Sequence, residues 1–309
     1  MKRVPPRGHP SRVLSGIVLL VVLLGGCAGV RRVAVRSVAK SLATGGSVWA
    51  SDDDLELVRE ALPTTLKTVE SLLASDPRNP DLLLAAAGGF TQYAYAFLET
   101  DVLQAEAHDP AAAAAARERA RRMYVRARDY ALRGLELAHP GIGEALRKDP
   151  MAAVAACTLA DVPLLYWTGA SWGAAIASGK DHPELLADLP AVRALLERGL
   201  ALQEDFQAGA LHAALISLDA LSPMMGGNPE RAQQHYQRAL ALSGGHDASL
   251  FVTWAASVAV ATQDRAGFDA ALARALAIDP DAFPANRLAN LVAQYRARLL
   301  QGRADDLFL

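Results

Sequence analysis

The five residues GASWG at 169–173 match G-x-S-x-G, the pattern that places a nucleophilic serine at the top of an α/β-hydrolase sheet. In such a site the serine, here Ser171, acts from a strained turn between a strand and a helix, and its base and oxyanion donors come from elsewhere. The flanking stretches are rich in Ala and Leu and lack the alternating β-branched pattern of a strand. The sequence therefore predicts that GASWG is a small-residue contact within a helix and that Ser171 is not a nucleophile.

Residues that bind metals, cofactors or anions lack the spacing that such sites need. The seven histidines include no H-x-x-x-H pair and the chain has two cysteines, so no metal site is predicted. No Gly-rich phosphate loop follows a strand, so no cofactor is predicted. The basic run RERARRMYVRARD at 117–129 also holds Glu118 and Asp129 and surrounds an apolar stripe, which favours a solvated helix face over an anion site.

The aromatic side chains form two clusters, within GGFTQYAYAF at 88–97 and within YWTGASW at 166–172. Each cluster covers more than one face of a helix, whereas packing against neighbouring helices needs a single stripe. Core packing is one interpretation, and the lining of a cavity or of a subunit contact is the other. The candidate residues for a ligand pore or an interface are Phe90, Tyr93, Phe97, Tyr166, Trp167, Trp172, His212 and Trp254.

The chain begins with a segment typical of bacterial export. Basic residues precede an apolar run from Ile17 to Leu24, which is too short to span a bilayer as a stable helix. The following Leu-Gly-Gly-Cys resembles the lipobox of bacterial lipoproteins, which implies a signal peptide at 1–26 and a lipidated Cys27. A signal peptide with an incidental cysteine is the alternative. With Cys27 lipidated, Cys157 has no partner, so no disulfide is expected.

Charge bears on the location and the partners of the mature chain. Removal of 1–26 takes away four of the 31 Lys and Arg residues and none of the 33 Asp and Glu residues, which leaves a net charge of −6. This balance argues against nucleic-acid binding. Residues 27–50 contain basic but no acidic side chains and are predicted to form a tether, or a loosely held first segment, near an anionic membrane surface. The acidic residue that can mark retention in the inner membrane is absent, which favours the periplasmic leaflet of the outer membrane.

The remaining residues, 51–309, are predicted to form one all-α unit. Four stretches share an Arg-Gly or Arg-Ala pair followed by Leu and a turn, and the last two intervals between these pairs are 40 and 36 residues. Those intervals are close to the ~34-residue period of tetratricopeptide repeats, which stack helical hairpins. We therefore expect an α-solenoid of tetratricopeptide-like hairpins. An inserted helical segment, from about Gly141 to Asp181, interrupts the period and contains GASWG.

Taken together, these stretches resemble the T components of tripartite ATP-independent periplasmic (TRAP) transporters. The resemblance covers most of the mature chain and rests on GGFTQYAYAF, PLLYWTGASWGAAI, ADLPAVRALLERGLAL, GALHAAL, GGNPERAQQHYQRALALSGG and the ending QYRARLL with DDLFL. It implies a periplasmic lipoprotein that forms a homotrimer pierced by apolar pores and that binds the substrate-binding P subunit. It also implies a ligand that is hydrophobic or an organic acid, and no enzymatic activity.

A second class of function shares the features read from the residues alone. A generic tetratricopeptide-repeat adaptor lipoprotein of the outer membrane, with a peptide or protein partner in its concave groove, would have the same leader, composition and repeats. The two functions differ in the partner that each requires, which is the P subunit for a T component and another peptide or protein for an adaptor.

Overall fold

The all-α prediction is confirmed for the part of the chain that the structure covers. A computed structural model describes Met1 and residues 46–179 and 182–308, and every regular element in those residues is a helix. Apart from Met1, the predicted signal peptide lies outside the described residues, as do Cys27 and most of the predicted tether. Among the residues that were searched, no helix is both long and apolar enough to cross a membrane.

The helices begin where capping residues and prolines predict. Asn79, Asp109 and Asn228 each accept a hydrogen bond from a backbone amide in the first turn, and each is followed by a proline at the first helical position. In chain order the α-helices are α1 Gly46–Ala50, α2 Leu55–Ser75, α3 Pro80–Tyr93, α4 Glu99–Ala105, α5 Pro110–Ala138, α6 Ile142–Lys148, α7 Pro150–Val154, α8 Val162–Ala177, α9 Leu189–Leu202, α10 Ala210–Asp219, α11 Pro229–Leu242, α12 Ala248–Thr253, α13 Arg265–Ala277, α14 Arg287–Gln301 and α15 Ala304–Leu307.

Most helices pack on their neighbours in the chain, but the last long helix also returns to the first ones. Contacts join α2 to α3, α10 to α11 and α12 to α13, while α14 contacts α1, α2 and α4 as well as α12 and α13. Two ion pairs hold α14 and the residues after it against the early part of the chain. Arg296 of α14 pairs with Glu99 of α4, and Arg303 pairs with Glu106. The two ends of the described helical region are therefore tied together.

The predicted inserted segment contributes two short helices, α6 and α7, and one long helix, α8. Helix α8 packs against α5 and α9 at close range, because glycines lie at both contacts. A Cβ atom at Gly169 would lie 2.7 Å from Leu196, and one at Gly134 would lie 2.8 Å from Leu164. These glycines therefore allow the helices to pack at a short distance. Gly169, the first glycine of GASWG, lies at such a helix contact and not in a catalytic turn.

Two helices are interrupted by π-helical segments, Ala94–Leu98 between α3 and α4 and Trp254–Ala259 after α12. Such segments are rare and occur often at functional sites, since the extra residue in the turn changes the direction of the side chains. The first of them carries Tyr95, and the second begins directly after Thr253.

Candidate functional site

Ser171 lies in the middle of α8, as predicted, and not on a turn after a strand. Its side chain is fully buried, and its hydroxyl donates a hydrogen bond of 2.6 Å to the carbonyl of Trp167, one turn earlier. A second contact of 3.3 Å reaches the carbonyl of Thr168. The hydroxyl is thus bonded within its own helix, and the G-x-S-x-G match does not form a hydrolase site.

Changing Ser171 to alanine should alter the free energy of unfolding by less than about 0.5 kcal/mol. The Ser171 hydroxyl donates to a backbone carbonyl that the helix already uses as an acceptor. Serines bonded in this way have little effect on the stability of a helix. Chemical denaturation followed by circular dichroism measures the difference. A loss of several kcal/mol would mean that the hydroxyl has a role outside its own helix.

Six of the eight candidate residues for a pore or an interface are buried in the packed interior. Trp172 is 1% exposed and donates from Nε1 to Asp188 at 3.1 Å. Trp167 lies against Gly88, where a Cβ atom would be only 3.1 Å from its ring. Buried with them are Phe90, Tyr93, Phe97 and His212. Their burial is what the core-packing interpretation requires.

The other two candidates, Tyr166 and Trp254, keep part of their surface exposed. The ring of Trp254 lies 4.5 Å from that of Tyr236, and the ring of Tyr166 lies 4.7 Å from that of Trp167. Tyr166 also contacts Phe206 at a centroid distance of 5.4 Å. Both rings therefore present one face to other aromatic residues and leave another part accessible.

Tyr166 belongs to a group of polar side chains that come together from four separate parts of the chain. We call this group the convergence cluster and define it as Tyr95, Tyr166, Asp247, Thr253 and Arg296. The Thr253 side chain and the charges of Arg296 and Asp247 influence the pKa of the Tyr95 hydroxyl. The charges of Asp247 and Tyr95 influence the pKa of the Tyr166 hydroxyl. Contacts of Arg296 join the first π segment to α14, and the charge of Asp247 at the start of α12 acts on both tyrosine hydroxyls.

Both tyrosines of the convergence cluster are shielded from bulk water although they are not fully buried. Burial raises the pKa of the Tyr166 hydroxyl to about 12, and the negative charge of Asp247 acts in the same direction. Burial also raises the pKa of Tyr95. Each residue nevertheless keeps a minor part of its surface accessible. The two tyrosines are therefore largely desolvated without being completely enclosed.

Arg296 supplies the positive charge of the convergence cluster. It is 8% exposed and donates to the Tyr95 carbonyl at 2.9 Å and to Glu99 at 3.2 Å, while its guanidinium lies 4.3 Å from the centre of the Tyr95 ring. The hydroxyl of Tyr124 also donates to Glu99, at 2.7 Å. These contacts hold α14 against the first π segment and α4.

The chemistry available at the convergence cluster is binding chemistry. The tyrosine hydroxyls are protonated at neutral pH, as the ordinary tyrosine pKa of about 10 already requires, and burial raises the pKa further, so they act as hydrogen-bond partners on aromatic rings. Aromatic surface with a few fixed polar groups is the usual lining of a site for a small molecule. Tyr95, Asp247 and Arg296 were missed as candidates, since the sequence marks Asp247 only as a helix cap and Arg296 only as a polar residue in an amphipathic helix.

One group of potential metal ligands has no recognisable spacing in the sequence and comes together only in the fold. The ligand atoms of His139, Cys157 and Asp161 all lie within 4.8 Å of one another. Burial, however, raises the pKa of the Cys157 thiol to about 11, and one Asp161 oxygen already accepts from His139 and from Thr158. The Arg198 guanidinium, which binds the Cys157 carbonyl, adds a positive charge nearby. The group is therefore better described as a hydrogen-bonded cluster of polar side chains than as a metal site.

The predicted site residue His212 lies in a buried polar chain between α10 and α11. Its Nδ1 is 2.7 Å from Nδ1 of His235, and its Nε2 is 3.3 Å from Glu204. On the other side, Nε2 of His235 is 3.5 Å from Asp219, whose carboxylate is fully buried and accepts from Arg193 at 2.8 Å. Burial lowers the pKa of both histidines below the ordinary imidazole value.

The histidine pair should make stability fall at mildly acid pH. Because the folded-state pKa values are lowered, the unfolded chain binds more protons, and the stability from the neutral pair is lost as pH falls below about 6.5. Denaturation at about pH 7.5 and about pH 5.5 measures this loss, and the His235→Gln variant should lose less over the same interval. Equal losses in the two proteins would contradict the assignment.

Comparison with known proteins agrees with the fold and with the resemblance of the sequence. The family described as TRAP transporter T-component matches residues 51–308. A protein of Treponema pallidum (strain Nichols), described as uncharacterized, is 33% identical over 321 aligned residues, which cover 97% of this chain and 99% of that protein. The match begins directly after α1 and covers every helix from α2 to α15. This chain therefore belongs to the TRAP transporter T-component family, a family of transporter components rather than of enzymes.

Proposed function

We propose that the protein is a periplasmic, lipid-anchored T component that binds the substrate-binding P subunit of a TRAP transporter. Its helical hairpins form a tetratricopeptide-like α-solenoid, closed by the return of α14 to α4, and the mature chain acts as a homotrimer. The family match over residues 51–308 supports the transporter role, and the convergence cluster supports a binding role inside the helical region.

The proposed ligand is hydrophobic or an organic acid with an apolar body. The observation that carries this part is that Tyr95 and Tyr166 are shielded from water yet partly accessible, where helices distant in the chain converge. Their rings supply apolar contact, and their hydroxyls, with the nearby Arg296, supply polar contacts for a head group. Trp254, which begins the second π segment and packs on Tyr236 with part of its surface accessible, is proposed as a further apolar contact.

Trimer formation is supported by the surface of the predicted inserted segment. Met151 is 62% exposed and Leu159 is 60% exposed, and Leu186 in the following turn is 39% exposed. Exposed apolar side chains in one segment are typical of an interface, and closed homo-oligomers bury such patches symmetrically. Light scattering on residues 51–309 should give the mass of a trimer, and a monomer at micromolar concentration would contradict the proposal.

The Cys27→Ala variant should be released from the membrane fraction. The motif before Cys27 is the reason to place the lipid there, and no helix among the residues searched is suited to cross a membrane. Fractionation after a high-salt wash distinguishes lipid attachment from attraction by the basic residues of 27–50. Retention of the variant in washed membranes would place the anchor elsewhere.

A generic adaptor of the outer membrane is the alternative, and affinity capture separates the two functions. We expect the tagged, full-length protein to recover the P subunit of a TRAP transporter from detergent-solubilised membranes and periplasm. Recovery of proteins of the assembly machinery without any P subunit would favour the adaptor.

A further inference from the structure

The outer face of α5 carries a groove with four arginines. The groove has a volume of about 430 Å³ and is lined by Arg121, Arg122, Val125, Arg126, Asp129, Tyr130 and Arg133. Three of the arginines, at positions 122, 126 and 133, are exposed along one side of the helix. The sequence alone favoured a solvated face for this run, and in the structure these side chains border a shallow, open groove on the helix surface.

The carboxylates around the groove do not use up its positive charge. Glu118 takes two hydrogen bonds from Arg121 and one from Arg122, and Arg126 forms an ion pair with Glu70 at 3.6 Å. Glu70 also accepts a hydrogen bond from the Tyr130 hydroxyl at 2.8 Å. Asp129 in the lining accepts from Arg128, and Arg133 donates only to an uncharged group, the Pro77 carbonyl at 3.0 Å, so its charge has no carboxylate partner among these contacts. A positive groove on a chain whose net charge is −2 is a local exception that an anionic partner would complement.

Aromatic rings hold two of the exposed guanidinium groups in place. Arg126 lies 5.3 Å from the centre of the Phe90 ring, and Arg133 lies 5.3 Å from that of Tyr130. The Phe90 and Tyr130 rings are themselves stacked at 6.0 Å. Because the rings limit the motion of the arginine side chains, binding an anion costs less conformational entropy than at free surface arginines.

The length of the groove argues for a peptide rather than for a small ion. From Arg122 to Arg133 the helix rises about 16 Å, since each residue adds about 1.5 Å. One carboxylate cannot reach both ends, whereas about five residues of extended chain can, at about 3.3 Å per residue. Guanidinium groups also bind carboxylates through paired, charge-assisted hydrogen bonds.

We infer that this groove docks an acidic segment, with at least two Asp or Glu side chains, on the surface of the P subunit. The inference rests on the proposed function, because it assumes that the two proteins bind, and it adds the surface and the chemistry of the contact. Arg126 and Arg133 contribute the donors, and Arg122 contributes at the far end of the groove.

Titration calorimetry with the purified P subunit of the same transporter tests the inference. Combined replacement of Arg126 and Arg133 by glutamine should weaken binding at least about tenfold and flatten its dependence on salt concentration. The Arg298→Gln variant, which removes an exposed arginine of α14, should bind like the wild type and serves as the matched control. Thermal denaturation should show the wild-type midpoint for Arg298→Gln and only a small decrease for the double variant, which remains folded but loses the contacts of Arg126 with Phe90 and of Arg133 with Tyr130.

Each other result has a defined meaning. Wild-type binding that the double variant retains in full would overturn the groove but not the proposed function. Absence of binding by the wild type would overturn the proposed function and the inference with it. If the double variant kept its affinity for the P subunit but no longer bound vesicles of phosphatidylcholine with phosphatidylglycerol, the groove would be a membrane-facing surface and the inference would be wrong.

Discussion

The Trp172→Ala variant is expected to lose about 3–5 kcal/mol of its free energy of unfolding. The indole is 1% exposed within the core formed by α5, α8 and α9, donates to Asp188 at 3.1 Å and lies 5.3 Å below the Arg128 guanidinium. Its removal leaves a cavity and an unpaired carboxylate. Urea denaturation followed by far-ultraviolet circular dichroism measures the loss.

The matched control is Trp254→Ala, which removes the same side chain from a half-exposed position. We expect this variant to lose much less stability and, under the proposed function, to lose ligand binding. If Trp172→Ala cost less than about 1 kcal/mol, the ring could not be the buried core residue that its contacts indicate.

The Arg296→Met variant is expected to lose about 2–4 kcal/mol, the second largest effect. It leaves the carbonyl of Tyr95 without its donor and Glu99 without its cation, and both lie where α14 meets the first helices. This loss is smaller than the about 3–5 kcal/mol typical of a broken buried pair, because the Tyr124 hydroxyl still donates to Glu99.

Hydrogen exchange gives the Arg296 prediction a readout beyond overall stability. Amides of α14 should exchange faster in the variant, whereas those of α5 should keep their protection. The matched control is Arg265→Met, since Arg265 pairs with Asp305 at an exposed site, and such pairs contribute about 0–1 kcal/mol. A loss at Arg296 no larger than the loss at Arg265 would contradict the view that this pair ties the chain ends together.

Local features of the fold could be predicted because their causes are local. The starts of α3, α5 and α11 follow from an Asn or Asp cap and a proline within two residues. The helical environment of Ser171 follows from neighbouring Ala and Leu residues. In each case the decisive interactions lie within one turn of the helix.

The convergence cluster could not be predicted because its causes are distant in the chain. Tyr95, Asp247 and Arg296 meet only after α14 has returned to α4, and no spacing rule relates their positions. The pairing of His212 with His235 likewise depends on how α10 packs against α11. The π segments depend on a change of hydrogen-bond register that composition does not mark.

The measurement that tests the central claim most directly is a calorimetric titration of the P subunit into residues 51–309. The account predicts saturable binding, and it predicts that the substrate-binding protein of an unrelated transporter, used at the same concentration, gives none. A folded protein that shows no binding to its P subunit at micromolar concentration would contradict the account.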